Sequence, residues 1–167
     1  MMAAPAIDEI DRQILDLLQR DASLSNAEIA SRVQLSVSPC WRRIQRLEQQ
    51  GVIRARVALL DPAKLGLGIT VFASVKLSSH GRQALPAFEA AIGAFPEVVE
   101  CYTVTGEVDF ILRIVTRDIP SYERFLREHL LQLPHVGEMH STIALTQVKY
   151  TTAVPLDGVV ARGDATP

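Results

Sequence analysis

The chain has 167 residues, of which 48% are hydrophobic and 22% charged, a composition typical of a globular protein with a substantial core. Its formal net charge of −2 excludes a surface that is basic throughout, and no run of about 18 apolar residues predicts a membrane span. The acidic N-terminal segment lacks the basic and apolar regions of a secretion signal, so we expect a cytoplasmic protein.

The reactive residue types form no catalytic or metal-binding pattern. Cys40 and Cys101 lie far apart in apolar segments, where both are expected to be buried core residues. The four histidines do not stand at metal-ligand spacing with another ligand. No nucleophile–base pair, phosphate-binding glycine loop or carboxylate pair is visible. We therefore expect neither an enzyme nor a protein with a metal or a cofactor.

Three short helices are predicted in the first 50 residues. Apolar residues recur at helical spacing from Ile7 to Arg20, and Ser25 with Glu28 then forms a capping box that begins a second helix, SNAEIASRV. Ser36 is expected to cap a third helix, with Gly51 as its left-handed C-terminal residue. A capped short helix, a tight turn and a second capped helix are typical of a helix-turn-helix.

The third helix lies in a concentration of positive charge. Between Ser36 and Val57 five arginines stand against one glutamate, a local charge of +4, whereas residues 1–35 carry six acids and three arginines. A local basic surface suits the phosphates of DNA, and free N–H groups near Ser36 and Ser38 suit phosphate or base edges. The alternative is a three-helix bundle with a solvated arginine face. The candidate DNA-contacting residues are Ser36, Ser38, Trp41, Arg42, Arg43 and Arg46.

The larger side chains of the third helix have different expected roles. Arg42 and Arg46 lie one turn apart on the outer face and are suited to guanine or phosphate. Arg43 is nearer the core, where pairing with an acid of the first helix is an equal alternative. Trp41 is expected to pack half-buried against the first helix, with packing against the DNA backbone as the alternative.

A second domain follows with a different pattern. The alternation from Val52 to Leu60 predicts a strand. The turn at 61–66 marks the boundary between a domain at 1–62 and a domain at 63–150. A tail at 151–167 follows and is expected to fray. The second domain has predicted strands at 69–77, 98–104, 110–116 and 139–149 and helices at 84–95 and 120–133. This β-α-β-β-α-β order is ferredoxin-like, so the predicted fold is α+β with an N-terminal winged-type helix-turn-helix.

A ferredoxin-like unit covers one sheet face with its helices and leaves the other face bare. Phe72, Val99, Ile111 and Ile143 are the candidates for apolar residues on one or the other face. An uncovered apolar face predicts a partner, most simply a second copy of the chain.

The loop from Thr105 to Asp109 joins two of the predicted strands. A tight hairpin is the simpler explanation, because glycine and aspartate are common in turns for conformational reasons. The alternative is a site at which backbone groups and a carboxylate bind the ammonium of a small ligand.

Two stretches of the chain resemble one family of regulators. The stretch IDEIDRQILDLLQRDASLSNAEIASRVQLSVSPCWRRIQRLEQQGVI resembles the helix-turn-helix of the leucine-responsive/asparagine-responsive (Lrp/AsnC, feast/famine) family. EVVECYTVTGEVDFILRIV, followed by STIALTQVKY, resembles the regulatory domain of that family. The resemblance covers about residues 7–150 in order. One departure is DASLS, because the family usually has an arginine between the acid and the serine, so a backbone contact by that arginine is not expected here.

The resemblance implies a DNA-binding transcription regulator that assembles as dimers, and further as octamers, and responds to an amino acid bound where regulatory domains meet. It places the effector at Gly106, Glu107, Asp109 and Ser141. SPCWRRIQRLE, VALLDPAKLGLG and KYTTAVPL are most similar to cysteine-responsive members, so cysteine is the first expected effector and an apolar amino acid the next. The alternative function is an architectural DNA-compacting protein of the same fold without a ligand.

Overall fold

A computed structural model describes residues 6–78 and 84–159, which form two compact units. Within these ranges the first unit combines residues 6–59 with residues 149–159, and the second contains residues 60–78 and 84–148. Each unit has an apolar core of its own. None of the helices in the described part of the chain is long and apolar enough to cross a membrane.

The first unit begins with three helices, α1 (Glu9–Arg20), α2 (Asn26–Arg32) and α3 (Val37–Gln49). As predicted, Ser25 and Glu28 form a reciprocal capping box at the start of α2. Asp8 caps α1 in the same way, with Asp11 as the reciprocal partner. The helices pack around a core whose most buried members are Ile14, Ile29, Cys40, Ile44 and Leu47.

The ends of α3 are defined by two different devices. Ser36 occupies the N-cap position with an extended backbone, but its hydroxyl makes no capping hydrogen bond. At the other end Gly51 has a φ of +70°, which confirms the predicted left-handed residue after the helix. The first N–H groups of α3 are therefore left without a side-chain cap.

The segment 52–60, which was expected to be a strand, forms no β-ladder. It leaves α3 through hydrogen bonds from the N–H groups of Val52 and Ile53 to the carbonyl of Leu47, and it then runs extended and mostly exposed. A strand requires a hydrogen-bonded neighbour, and no segment in the described part of this chain provides one. The prediction of a strand was therefore wrong for the single chain.

The described part of the C-terminal tail returns to the first unit. The N–H of Val154 donates a 3.0 Å hydrogen bond to Oε1 of Gln19 in α1. Thr152, Val154 and Leu156 line one wall of a cavity of about 560 Å³, opposite α1 and the segment 52–59. Residues 151–159 are thus held against the helices, although fraying was expected.

The second unit is a four-stranded antiparallel sheet with two helices. Its strands are β1 (Ile69–Leu77), β2 (Val98–Thr103), β3 (Phe110–Thr116) and β4 (Val136–Ile143), and its helices are α4 (Ala84–Ile92) and α5 (Ile119–Glu128). The strand order is β2-β3-β1-β4. This order, with the β-α-β-β-α-β sequence of elements, confirms the ferredoxin-like fold.

The two faces of the sheet differ in character. One face packs against Phe88 of α4 and Phe125 of α5, and it carries the alternate residues of β1 that include Val71, Ala73 and Val75. The opposite face exposes 44% of Phe72 and 58% of Tyr102. That face also carries an ion pair between Glu100 and Arg113, with Nη2 of the arginine 2.6 Å from Oε1 of the glutamate. The uncovered face is therefore apolar in part rather than throughout.

Three expectations for the second unit differ from the structure. The strand expected at 139–149 lies at 136–143, because β1 begins at Ile69 and gives no partner for residues beyond 144. The helix expected at 120–133 ends at Glu128, and a short 3-10 turn, Leu130–Gln132, follows it. Cys101 is exposed rather than buried, because β2 is an edge strand of the sheet.

Candidate nucleic-acid interface and ligand site

The N-terminal half of α3 presents a continuous exposed surface. Ser36, Ser38 and Arg42 are all exposed, and Trp41 keeps 48% of its surface accessible. Because Ser38, Trp41 and Arg42 stand at helical spacing, they lie on the side of α3 away from the buried Cys40 and Ile44, and Ser36 precedes them at the N-cap. The face that the sequence predicted to meet DNA is thus available to it.

The N-terminus of α3 offers hydrogen-bond donors to an anion. The helix has 13 residues, and its aligned peptide dipoles place partial positive charge at its first turn. No side chain caps that turn, and the hydroxyl of Ser36 is free of a capping role. Such a helix end suits a phosphate group.

Two of the candidate arginines turn toward α1 instead of outward. Nη1 of Arg43 lies 2.6 Å from Oδ2 of Asp8 and 2.9 Å from Oδ1 of Asp11. Arg46 donates from Nη2 to the other oxygen of Asp11, and its buried Nε has no hydrogen-bond partner in the described structure. Arg43 therefore pairs with acids of the first helix, which was the alternative predicted for it, and Arg46 does the same.

The ion pairs to Asp8 keep that carboxyl charged. Partial burial favours its neutral form, but the hydrogen bonds from the Asp11 N–H and the Arg43 guanidinium outweigh this effect and lower its pKa. This role of Asp8 was not predicted from the sequence. The missed signal was the presence of acids on one turn of α1 together with arginines three residues apart in α3.

The other arginines between residues 36 and 57 also fall into paired and unpaired side chains. Arg56 pairs with Glu48, with 2.8 Å between Nη2 and Oε1. Arg42 and Arg54 make no hydrogen bond or ion pair with any described residue. Of the arginines on α3, Arg42 is thus the one that is exposed and unengaged.

The loop between β2 and β3 is a closed hairpin with a fixed carboxylate. Gly106 has a φ of +122°, a region that favours glycine. The carboxylate of Asp109 accepts a 2.8 Å hydrogen bond from the N–H of Leu77, and its own N–H donates to the carbonyl of Val75 at 2.9 Å. Glu107 is exposed at the tip. These contacts support the interpretation of the loop as a tight hairpin. The side chain of Asp109 nevertheless stays partly exposed.

Ser141 lies apart from this loop within one chain. It pairs in register with Ala73 in β1, whereas Asp109 bonds to Leu77, four residues further along the same strand. At about 3.3 Å per residue the two positions are roughly 13 Å apart along the strand. The hydroxyl of Ser141 is hydrogen-bonded to that of Tyr122 in α5, a contact that was not predicted from the sequence.

The described residues contain no group of three or more histidine, cysteine, aspartate or glutamate side chains able to hold a metal ion. The donor groups of the two candidate surfaces are hydroxyls, backbone N–H groups, guanidiniums and carboxylates. Such groups bind phosphates and the polar ends of amino acids by hydrogen bonding and charge.

Comparison with known proteins gives consistent matches over both units. Residues 7–54 match the model of a winged helix-turn-helix DNA-binding domain, and residues 70–154 match that of the Lrp/AsnC ligand binding domain. The chain is 37% identical over 151 residues to the DNA-binding transcriptional activator DecR of Escherichia coli (strain K12), covering 90% of this chain and 99% of that protein.

Solved structures agree with these matches. An AsnC family transcriptional regulator from Agrobacterium tumefaciens has a TM-score of 0.86 and 46% identity, covering 90% of this chain and 98% of that one. A transcriptional regulator from Neisseria meningitidis, solved as an L-Met complex, has a TM-score of 0.88 and 35% identity, covering 93% of this chain and 100% of that one.

A winged helix-turn-helix joined to an amino-acid-binding domain defines a DNA-binding transcription regulator rather than an enzyme. The chain belongs to the Lrp/AsnC family of such regulators. The predicted family, fold and function are thereby confirmed.

Proposed function

We propose that this regulator reads DNA through the exposed face of α3 and that a small amino acid, cysteine first or an apolar amino acid next, controls its binding. Its partner is double-stranded DNA in the cytoplasm. The observation that carries the proposal is the exposed start of α3, where an uncapped helix end, Ser36, Ser38 and an unengaged Arg42 lie together.

The contacts to DNA divide between two groups of residues. Ser36 and Ser38 meet phosphate or base edges at the helix N-terminus, Arg42 reaches a base edge or a phosphate, and Trp41 packs beside the backbone. Arg43 and Arg46, which also belong to the candidate set, reach DNA only by giving up their contacts to Asp8 and Asp11.

Replacement of Arg42 tests the docking. Arg42→Ala should weaken binding to a duplex and reduce the slope of log affinity against log salt by about 0.9, the value for one lost phosphate contact. The matched control is Arg127→Ala, which removes an exposed arginine paired with Glu123 in the other unit. Equal salt slopes for wild type and Arg42→Ala, measured by fluorescence anisotropy, would contradict this docking.

The effector site is proposed at Gly106, Glu107, Asp109 and Ser141. The backbone at Gly106 allows close approach of a ligand, Asp109 serves an ammonium, and Ser141 donates to a carboxylate. The neighbour from Neisseria meningitidis was solved with L-Met, an apolar, sulfur-containing amino acid, which supports a ligand of this class.

Calorimetry with cysteine under reducing conditions, methionine and leucine tests the effector, and the corresponding D-amino acids are the controls. A ligand that binds only the native state also raises its apparent thermal stability. Gel shifts with and without the bound amino acid then show whether binding to DNA responds. If no amino acid changes DNA binding, the architectural DNA-compacting function gains support instead.

The assembly is proposed to be at least a dimer formed through the uncovered sheet face. The apolar surface of this face comes from Phe72, Tyr102 and Ile111. Because Ser141 lies apart from Asp109 within one chain, a second copy is proposed to complete the ligand site. Phe72→Ser should shift the mass seen by light scattering toward that of one chain, 18.4 kDa. Ile119→Ser, at an exposed position outside that face, is the control.

A further inference from the structure

Asp11 is a buried carboxylate shared by two arginines of α3. Its side chain is 1% exposed. No other charged residue in the described part of the chain is buried. One of its oxygens meets Nη1 of Arg43 and the other meets Nη2 of Arg46. The second oxygen also accepts a 3.2 Å hydrogen bond from the N–H of Asp8. The carboxylate thus connects the start of α1 to two successive turns of α3.

The arrangement removes positive charge from the surface that faces DNA. Arg43 and Arg46 are three residues apart and project from the same side of α3, so one acidic group can hold both guanidiniums. With Asp8 included, two carboxylates stand against two arginines and the cluster is neutral. Arg42, which lies outside the cluster, keeps its full charge at the surface.

We propose that Asp11 is a positioning residue that limits the sequence-independent part of DNA binding, by withholding Arg43 and Arg46 from the phosphate backbone. This inference rests on the docking of α3 proposed above. Phosphate contacts strengthen binding to every sequence alike, whereas contacts to base edges discriminate between sequences. Holding two arginines back therefore lowers the affinity for every duplex and its dependence on salt, and it leaves the preference for the target to the contacts with base edges.

The restraint is effective because the carboxylate is buried. Withdrawing either arginine would leave a buried charge with fewer partners, which is strongly unfavourable in a protein interior. A phosphate must offer more than an ordinary surface contact to displace Asp11. The side chains of Arg43 and Arg46 remain 27% and 43% exposed, so they can reach a phosphate once the carboxylate no longer holds them.

Asp11→Asn in the full-length chain tests the proposal. Asparagine has nearly the same shape and can still accept the N–H of Asp8, but it no longer holds the arginines by charge. The probes are a random-sequence duplex and a duplex selected from a random pool by the wild-type protein. On both duplexes the slope of log affinity against log salt should steepen by about 0.9 for each arginine released, and the ratio of the two affinities should stay at the wild-type value.

Glu9→Gln is the matched control for the loss of a negative charge. Glu9 lies on the same helix and pairs with Arg12 rather than with α3. It should leave both the salt slope and the preference unchanged. An equal steepening in Glu9→Gln would overturn the proposal, since the effect would then follow net charge alone. An unchanged slope in Asp11→Asn with a native circular dichroism spectrum would overturn it as well.

A second pair of variants covers the case in which Asp11→Asn does not fold. Arg46→Gln removes an arginine that Asp11 restrains, so the salt slope should stay at the wild-type value. Arg42→Gln should lower the slope by about 0.9. Equal lowering in both variants would refute the restraint. An unchanged slope in Arg42→Gln would instead contradict the docking of α3, so the two failures are distinguishable.

Discussion

The carboxylate of Asp109 accepts a hydrogen bond from the backbone N–H of Leu77, with 2.8 Å between the two atoms. Leu77 is 3% exposed and lies where the pairing of β1 with β4 becomes irregular. The same side chain that is proposed to bind an ammonium therefore also satisfies a buried donor of the sheet. Structural and ligand-binding roles of Asp109 have to be separated by the choice of variant.

Asp109→Ala is expected to lower the free energy of unfolding by about 1–2 kcal/mol, because it leaves the N–H of Leu77 without this acceptor. Asp109→Asn keeps an acceptor oxygen and should lose less stability, but it removes the charge that an amino-acid ammonium needs. Urea unfolding followed by circular dichroism measures the first effect, and calorimetry with cysteine measures the second. If Asp109→Asn binds the amino acid as tightly as wild type, Asp109 has a structural role in the hairpin and does not bind the ligand.

Tyr122→Phe tests the hydroxyl pair between α5 and β4. The ring stays packed, but Ser141 loses its partner, so the free energy of unfolding should fall by about 1 kcal/mol. Ser141→Ala should cost a similar amount. The double variant should cost less than the sum of the two, since both single changes remove the same hydrogen bond. Strict additivity in urea unfolding would show that the two hydroxyls are not coupled.

The capping box of α2 should contribute to the loss of stability in acid. The hydroxyl of Ser25, together with its N–H, donates to Glu28 and lowers the pKa of that carboxyl below its ordinary value of 4.5. A lowered native pKa gives stability that is complete above pH 4.5 and is lost as the pH falls through the native value. Glu28→Gln should therefore flatten the acid side of a plot of melting temperature against pH. An acid side as steep as that of wild type would contradict the assignment.

The two thiols should differ in reactivity. Burial raises the pKa of both thiols, but Cys40 is enclosed in the core of the first unit, whereas Cys101 is accessible on an edge strand. A thiol reagent at neutral pH should label one cysteine of the native chain quickly and the other only after unfolding. Cys101→Ser should abolish the fast phase. If both thiols of the native wild type react in the fast phase, the core around Cys40 opens readily.

The sequence was most informative where a signal was local. The capping box at Ser25 and Glu28, the glycine after α3 and the alternation of β1 each depend on residues within a few positions of one another. All three were predicted, and all three are present in the structure. Local stereochemistry determines the cap and the glycine. β1 also needs the pairing that β3 and β4 provide, which the alternating segment 52–60 lacks in the described part of the chain.

Features that depend on distant neighbours were predicted less well. The pairing of Arg43 and Arg46 with Asp11 joins residues more than 30 positions apart and follows from how α1 crosses α3. The end of β4 depends on where β1 begins, and the exposure of Cys101 depends on the order of the strands. The separation of Ser141 from Asp109 could not be inferred either, because it requires the register of β4 on β1.

The return of residues 149–159 to the first unit has a consequence for the order in which the protein is completed. The three helices leave the ribosome first, and domains generally begin to fold in that order. The wall formed by Thr152, Val154 and Leu156, with the hydrogen bond from Val154 to Gln19, is made from residues that are synthesised after the whole second unit. The DNA-binding head of a nascent chain therefore stays open along α1 until the ligand-binding domain has been synthesised, and a chain that stops early carries a head with one side missing.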